Sequence, residues 1–421
     1  MTLAQTIPAN KIALGALGLL LLGLAGCTGT TAVQPDVLLV VGYSDAAGGK
    51  VALVRAETLC TGADPICQEQ AVLAGSERPL PAPPVAYDFT NRPRERDELV
   101  VLSRAGNVLG GPAFLSFFVS ADISPNDPSG FVEARPALEL GPGLARTPAL
   151  QNVELSFCPV HVQVSATGRY AAVLNDSRGA CASPTALNSV VVLDLRPGPG
   201  LAPRIVDVAD DNVLPGGLYL SQTFAGANDR LFWTQDRGDA RILDIPLPRP
   251  AGTLPRIVAE IAGTLANPVV DLGAVGPTLI ALRPGDFLPI TGLPDSPELG
   301  DSVDTALTNA RRLVTQETGR LPSLVLIGTG RIAIHLDQDD PEPAEVGIPG
   351  VVDGTIDEAS FAYFIAAPPA PGGDAVIHLF DFVFYDPAVA PPRVQPFPVT
   401  GLGDPAFISW VLARLEPPAA R

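Results

Sequence analysis

Short apolar segments bounded by turn-forming residues recur along the whole chain, and this pattern restricts the fold more than any other feature of the sequence. Most segments are five to eight residues long, which is typical of β-strands. The chain also contains 45 prolines among 421 residues, and a proline inside a helix removes a hydrogen bond and clashes with the preceding turn. The sequence therefore predicts an all-β protein.

The most apolar of these segments belong to groups that repeat in a fixed order. They begin near residues 37, 99, 170, 231, 279, 324 and 361. A strand, a tight polar turn, a very apolar strand and a further strand describe residues 161–195. The same order recurs at 218–247 and 351–382. Seven similar groups of small antiparallel strands follow from this spacing.

One of the turns has a more specific pattern. Residues 165–173 (SATGRYAAV) resemble the turn between two strands of YVTN-type and WD-type β-propeller repeats, with Gly168 at a position that favours positive φ. The resemblance implies a β-propeller over residues 36–415, and the seven groups fit seven blades. We expect the segment at 406–412 to complete the first blade, because ring closure pairs strand edges that would otherwise be exposed. A pair of β-sandwiches or an irregular sheet assembly is the alternative.

Two further expectations concern the segments between the groups. In 301–316, the apolar residues follow helical spacing and Asp301 or Ser302 can cap the start, which predicts an inserted helix. The connections 60–97, 121–158 and 284–320 are the longest, and we expect them to form a binding surface.

The N-terminus has the composition of an export signal. An apolar run from Ile12 to Leu24 follows Lys11 and is too short for a permanent membrane span. Residues 24–27 (LAGC) resemble the lipobox of bacterial lipoproteins, which implies removal of residues 1–26 and acylation of Cys27 with fatty acids such as palmitate. Residues 27–35 then form the lipidated cysteine and a tether, and 416–421 a C-terminal tail. The resemblance implies a lipid anchor in the cell envelope, at the outer membrane if the bacterium is Gram-negative. An ordinary secretory signal is the alternative.

Four cysteines remain after Cys27, and an even number in an exported chain predicts two disulfides with three possible pairings. The sequence favours Cys60–Cys67, which closes a short loop, and Cys158–Cys181, which a hairpin turning near Gly168 brings together. Metal binding is the alternative, but no CxxC motif is present.

The remaining candidates for chemistry are weak metal ligands. The carboxylates of Asp337, Asp339, Asp340 and Glu342 alternate in a way that can bind Ca²⁺, although a solvated loop is favoured. His335 and His378 are expected in the third strands of neighbouring blades, where a pair of histidines needs a further ligand to hold a metal. The sequence favours the absence of a cofactor.

Charge and motifs limit the function. The formal net charge is −18, from 27 basic and 45 acidic residues, which disfavours binding to nucleic acid. Gly-Asp-Ser at 300–302 superficially matches an esterase core, but no histidine has an aspartate three residues before it. We therefore expect a lipid-anchored propeller that binds a protein partner in the envelope, as a scaffold and not as an enzyme. The alternative is a metal-dependent hydrolase, lactonase- or phosphatase-like, with carboxylates lining a central channel.

Overall fold

The computed structural model describes residues 37–56, 72–90, 96–210, 213–221, 229–236, 238–316, 324–337, 343–358, 360–370, 372–382, 385, 392 and 394–413. These residues form thirty strands in seven small sheets, together with two single-turn 3-10 helices at Pro128–Gly130 and Pro148–Leu150. None of the described helices is long and apolar enough to cross a membrane. The fold is therefore all-β, as the sequence predicts.

Each sheet is one blade, with its first strand at the centre of the molecule and the others following outwards. Blade 1 contains β30 (Asp404–Leu412), β1 (Val37–Asp45), β2 (Gly48–Arg55) and β3 (Arg78–Pro79). Blade 2 contains β4 (Pro84–Phe89), β5 (Glu98–Arg104), β6 (Ala113–Val119) and β7 (Glu133–Glu139). Blade 3 contains β9 (Pro159–Val164), β10 (Tyr170–Asn175), β11 (Ser189–Asp194), β12 (Arg204–Asp210) and the short parallel strand β8 (Ala145–Arg146).

The other four blades have the same arrangement. Blade 4 contains β13 (Val213–Ser221), β14 (Asp229–Asp236), β15 (Ala240–Leu247) and β16 (Arg256–Ile261). Blade 5 contains β17 (Asp271–Val275), β18 (Thr278–Leu282), β19 (Asp286–Thr291), β20 (Glu298–Leu299) and β21 (Val303–Asp304). Blade 6 contains β22 (Arg312–Thr315), β23 (Leu324–Ile327), β24 (Arg331–His335) and β25 (Ala344–Gly347). Blade 7 contains β26 (Val351–Ile356), β27 (Phe361–Ala366), β28 (Val376–Asp381) and β29 (Gln395–Pro398).

The innermost strands close a ring. Strands β30, β4, β9, β13, β17, β22 and β26 contact one another in this order, and β26 contacts β30. The protein is a seven-bladed β-propeller. In blade 1 the C-terminal strand β30 pairs antiparallel with β1, from Val37 opposite Leu412 to Ser44 opposite Asp404. The prediction that a C-terminal strand completes the first blade is confirmed.

The apolar segments form the second strand of every blade, and the packing explains their composition. Among the described residues, seven hydrophobic clusters lie at the seven interfaces between neighbouring blades. In β1, Leu39 and Val41 pack towards blade 7, whereas Leu38 and Val40 pack towards blade 2. Because both faces of a blade are buried, its central strands are apolar at consecutive positions and not at alternate ones.

The hairpin of β9 and β10 agrees with the prediction from the sequence. Gly168 has φ 64° in the turn, and its N–H donates to the carbonyl of Ser165 at 2.8 Å. Cys158, before β9, forms a disulfide with Cys181, and their Cα atoms are 6.2 Å apart. Cys60 and Cys67 lie outside the described residues.

One expectation about the intervening segments is wrong. Residues 301–316 contain β21 and β22 and no helix; Ala306 has φ 57°, which is incompatible with a right-handed helix. The apolar residues Leu307 and Ala310 pack between blades 5 and 6, so their spacing reflects burial in an irregular segment. The three long connections contain the strands β3, β4, β7, β8 and β19 to β22, and their role as a binding surface stays a prediction.

A substitution at Gly42 tests the closure of the ring. A Cβ atom built at Gly42, opposite Phe407 of β30, lies 2.1 Å from Phe407 Cε1. Gly42→Ala is therefore expected to displace the Phe407 ring and to lower the free energy of unfolding by about 1–3 kcal/mol. Chemical denaturation measures this, with Gly141→Ala as the control because nothing lies within 4 Å of its Cβ position. Equal effects of the two substitutions would contradict the close packing at this position.

Candidate functional site

The innermost strands surround a polar cavity of about 120 Å³ at the centre of the ring. All seven of these strands contribute to its lining. A space of this size holds several water molecules or a small polar group. The polar side chains of the lining include Tyr87, Asp88, Arg96, His161, Gln163, Tyr219, Asp271, Arg312, Thr315, Thr355 and Ser409.

Arg312 of β22 is the main positive charge on one side of the cavity. Its guanidinium forms an ion pair with the buried carboxylate of Asp353 and lies 5.8 Å from the centre of the Tyr87 ring. Burial alone lowers the pKa of Arg312, but Asp353, Tyr87 and Asp271 together raise it above its usual value, so the guanidinium stays charged. Arg312 thereby connects blade 6 to blades 7 and 2.

Tyr87 of β4 connects blade 2 to the closing strand. Its hydroxyl donates to the carbonyl of Ile408 at 2.9 Å, and its ring stacks on Phe407 with centroids 4.4 Å apart. Burial, with a smaller effect of Asp353, raises the pKa of Tyr87 to about 12. The phenol therefore remains a neutral hydrogen-bond donor at physiological pH.

Three buried aspartates on innermost strands make the same contact with the next blade. Asp88, Asp271 and Asp353, the cross-blade carboxylates, each accept a backbone N–H from the neighbouring innermost strand. The N···O distances are 2.5 Å from Val164, 2.8 Å from Leu313 and 3.1 Å from Ile408, respectively. These bonds join blade 2 to blade 3, blade 5 to blade 6 and blade 7 to blade 1. Each bond gives an acceptor to a buried backbone N–H that its own sheet leaves unpaired, so these contacts fix the positions of neighbouring blades.

Asp271 is a cross-blade carboxylate whose pKa lies near neutral pH. It is only 9% exposed, and its second oxygen accepts the N–H of Leu272 at 2.9 Å. Burial raises the pKa of Asp271 to about 7, because the low-polarity surroundings outweigh the opposing effects of Arg312 and of the two N–H groups. The cavity thus combines a fixed positive charge with a carboxyl group that is able to exchange a proton.

Arg96 is a second guanidinium at the cavity, on the connection between β4 and β5. Its Nη1 donates to Ser409 Oγ at 2.8 Å and to the carbonyl of Trp410 at 2.9 Å. The guanidinium also lies 4.0 Å from the centre of the Trp410 ring and 4.9 Å from that of Phe89. Both arginines at the cavity therefore take part in contacts between blades.

The residues of this cavity are not among the candidates predicted from the sequence, although a short motif precedes both Asp271 and Asp353. Val-Val-Asp occurs at 269–271 and again at 351–353, and in both places it leads to a cross-blade carboxylate. An aspartate that follows two valines in a buried strand needs hydrogen-bond donors, because burial of an unpaired carboxylate is costly. The role of Arg312 has no comparable signal, since its partners lie on other blades.

The two histidines considered as metal ligands lie in the third strands of blades 6 and 7, as expected. His335 packs against Phe287 of blade 5, with ring centroids 5.1 Å apart. His378 is opposite Phe364, whose ring belongs to the cluster between blades 6 and 7. The sheet of blade 6 therefore lies between the two imidazoles, and the structure does not bring them together.

The acidic residues after His335 add no metal site that the structure describes. Asp337 is exposed after β24, while Asp339, Asp340 and Glu342 lie outside the described residues, as does Cys27. Within the described ranges, no group of three or more histidine, cysteine, aspartate or glutamate side chains is arranged to hold a metal ion. A calcium site in the acidic loop remains a prediction from the sequence.

Replacement of Asp271 tests its unusual protonation. Because the folded-state pKa is about 7 and the usual value is 3.8, the folded protein retains a proton that the unfolded chain has released between these pH values. The stability of the wild-type protein therefore falls as the pH rises through this window. Asp271→Asn removes this effect, so the stability of the variant relative to wild type is expected to rise by about 2–3 kcal/mol between pH 5 and 8.

Urea denaturation at a series of pH values measures the difference. Asp301→Asn, at an exposed position, is the control for removing one negative charge. A stability difference between Asp271→Asn and wild type that is the same at pH 5 and pH 8 would show that Asp271 titrates normally.

Comparisons with known proteins identify the fold and no family. The sequence matches no protein-family model and no curated protein sequence. A functionally unknown protein from Desulfotomaculum acetoxidans is similar in structure, with a TM-score of 0.54 and 11% identity, covering 89% of this chain and 99% of the other. The periplasmic gluconolactonase of Pseudomonas aeruginosa has a TM-score of 0.53 and 16% identity, with 89% and 99% covered. At these identities the likeness shows a shared β-propeller fold.

Proposed function

We propose that this protein is a lipid-anchored binding protein of the cell envelope, in which the propeller is a rigid scaffold that holds a partner. The observation that carries this proposal is that the charged side chains at the centre of the ring are bound to neighbouring blades. Arg312, Arg96 and the cross-blade carboxylates all contact a neighbouring blade. Groups held in this way favour a stable recognition surface over a catalytic site, whose groups must be available to the substrate.

The N-terminal sequence supports the location. Acylation of Cys27 supplies two or more fatty acyl chains, which is enough for stable attachment to a membrane. Residues 28–35 extend over at most about 28 Å, so the ring stays close to the membrane surface. A partner is therefore expected among the other components of the envelope.

Substitution of Cys27 tests the anchor. Cys27→Ala removes the sulfur that accepts the lipid, so the protein is expected to move from the membrane fraction to the soluble fraction of an expressing bacterium. Immunoblots of the two fractions and mass spectrometry of the N-terminal peptide measure this. Thr28→Ser is the matched control and should remain in the membrane fraction. An unmodified N-terminus on the wild-type protein, or a leader that is still attached, would contradict the proposal.

Isolation from membranes tests the binding function. After chemical cross-linking in intact cells and solubilisation in mild detergent, the protein is expected to co-purify with a stoichiometric envelope component. Recovery of the protein alone under these conditions would contradict a scaffold function.

A second candidate function is lactone hydrolysis in the central cavity, which the raised pKa of Asp271 favours. Its carboxylate would accept a proton from a water molecule that attacks the ester carbon, and Arg312 would stabilise the charge that develops on the carbonyl oxygen. The ring C–O bond would then break, and the leaving oxygen would take the proton from Asp271. One protein of similar fold is a gluconolactonase. Gluconolactone hydrolysis is measured with and without a chelator. Activity of the wild-type protein under both conditions that is lost in Asp271→Asn would place this function ahead of scaffolding.

A further inference from the structure

A second concavity lies between blades 3 and 4, away from the central cavity. It is a groove of about 380 Å³ that runs along β15, with β11 and β12 on the opposite side. Pockets for small organic molecules have volumes of about 300–1,000 Å³ and mainly apolar linings. The groove is therefore large enough for a small ligand.

The floor of the groove is apolar, and its side chains are at most 8% exposed. The six side chains that form it come from the facing surfaces of the two blades: Val190, Val192, Leu231, Trp233, Leu243 and Ile245. Two further apolar residues, Leu254 and Ile257, are 83% and 43% exposed at its rim. Contact with an apolar ligand would remove part of this surface from water, which is favourable.

Each of the two arginines of the lining pairs with a carboxylate, so the groove is close to electrically neutral. Two arginines and one aspartate line the groove, whereas the chain has a net charge of −18. Arg241 is near the start of β15 and forms an ion pair with Glu260 at 3.0 Å, with both side chains more than half exposed. Arg249 follows the end of β15, and its Nη2 contacts Asp207 Oδ1 at 2.5 Å. The groove thus has an arginine at each end and apolar side chains between them.

Arg249 is the better placed of the two arginines to bind a ligand. Its side chain is 33% exposed, compared with 54% for Arg241, and Asp207 holds it from the side of blade 3. A guanidinium carries five N–H donors in a planar arrangement that matches a carboxylate. Because one Nη of Arg249 contacts Asp207, the other end of the guanidinium is geometrically able to bind a second carboxylate.

We propose that the groove between blades 3 and 4 binds a small amphipathic carboxylate, with its hydrocarbon part against Trp233 and its carboxylate at Arg249. This site is independent of the proposed scaffold function. The N–H donors of Arg249 that do not contact Asp207 favour a carboxylate over a cation or a neutral amphiphile, and the apolar lining favours a hydrocarbon body. Decanoate has both features and is therefore a suitable probe of the groove.

Intrinsic fluorescence provides a direct measurement, because the chain has two tryptophans and only Trp233 lines the groove. In the full chain with Trp410→Phe, decanoate below its micellar concentration is expected to change the emission of Trp233 in a saturable way. Decylamine and decanol, which have the same hydrocarbon body, are expected to bind at least about tenfold more weakly. Equal responses to all three compounds would overturn the proposal, since they would indicate partition into an apolar surface.

Two substitutions in this background locate the carboxylate. Arg249→Gln is expected to weaken decanoate binding about tenfold, whereas Asp207→Asn is expected to strengthen it, because the competing carboxylate is removed. Misfolding of a variant lowers its affinity and does not raise it. The expected gain in Asp207→Asn therefore distinguishes a specific effect from a folding defect. Arg331→Gln, on an exposed arginine of blade 6, is the control and should leave the affinity unchanged. Unchanged decanoate affinity in both groove variants would overturn the proposal. Self-association of the protein through the groove would also overturn it if decanoate does not affect that association.

Discussion

The propeller depends on the hydrogen bonds between its innermost strands and the carboxylates of neighbouring blades. An innermost strand has one edge that its own sheet does not pair, and its buried N–H groups need acceptors. Asp88, Asp271 and Asp353 supply these acceptors at three of the seven interfaces. Because Asp88, Asp271 and Arg312 line the central cavity, the polarity of the cavity follows from the way the ring is held together.

The closing interface has an extensive set of such contacts. There the C-terminal strand β30 completes a sheet that begins at Val37. Asp353 accepts the N–H of Ile408 and pairs with Arg312, while Tyr87 donates to the carbonyl of the same Ile408. The backbone of one residue in β30 is therefore bound from blade 7 and from blade 2. Strands β1 and β30, which are distant in sequence, therefore belong to one sheet, and the contacts of Asp353 and Tyr87 hold β30 in place.

Much of the fold follows from the sequence, because the pattern of burial is local. Strands with both faces buried are continuously apolar, and the turn at Gly168 is recognisable from its sequence. The segment at 406–412 pairs a strand edge of the first blade that would otherwise be exposed. Residues 301–316 have the apolar spacing of a helix because burial between two blades happens to repeat with that period. The central cavity and the groove are not predictable in the same way, since their residues come from different blades and meet only when the ring closes. No sequence pattern marks Trp233 or Arg249. Their common position in the groove is visible only when blade 3 lies opposite blade 4 in the structure.

The most direct test of ring closure by the cross-blade carboxylates is hydrogen exchange of the backbone amides in Asp353→Ala. Loss of this carboxylate removes the acceptor of the Ile408 N–H and the ion-pair partner of the Arg312 guanidinium, at a cost of about 1–3 kcal/mol or more. Exchange in β30 and β1 is expected to become at least about tenfold faster, while exchange in β10 and β14, on the far side of the ring, changes little. Unchanged protection of β30 would contradict the claim that the cross-blade carboxylates hold the ring closed.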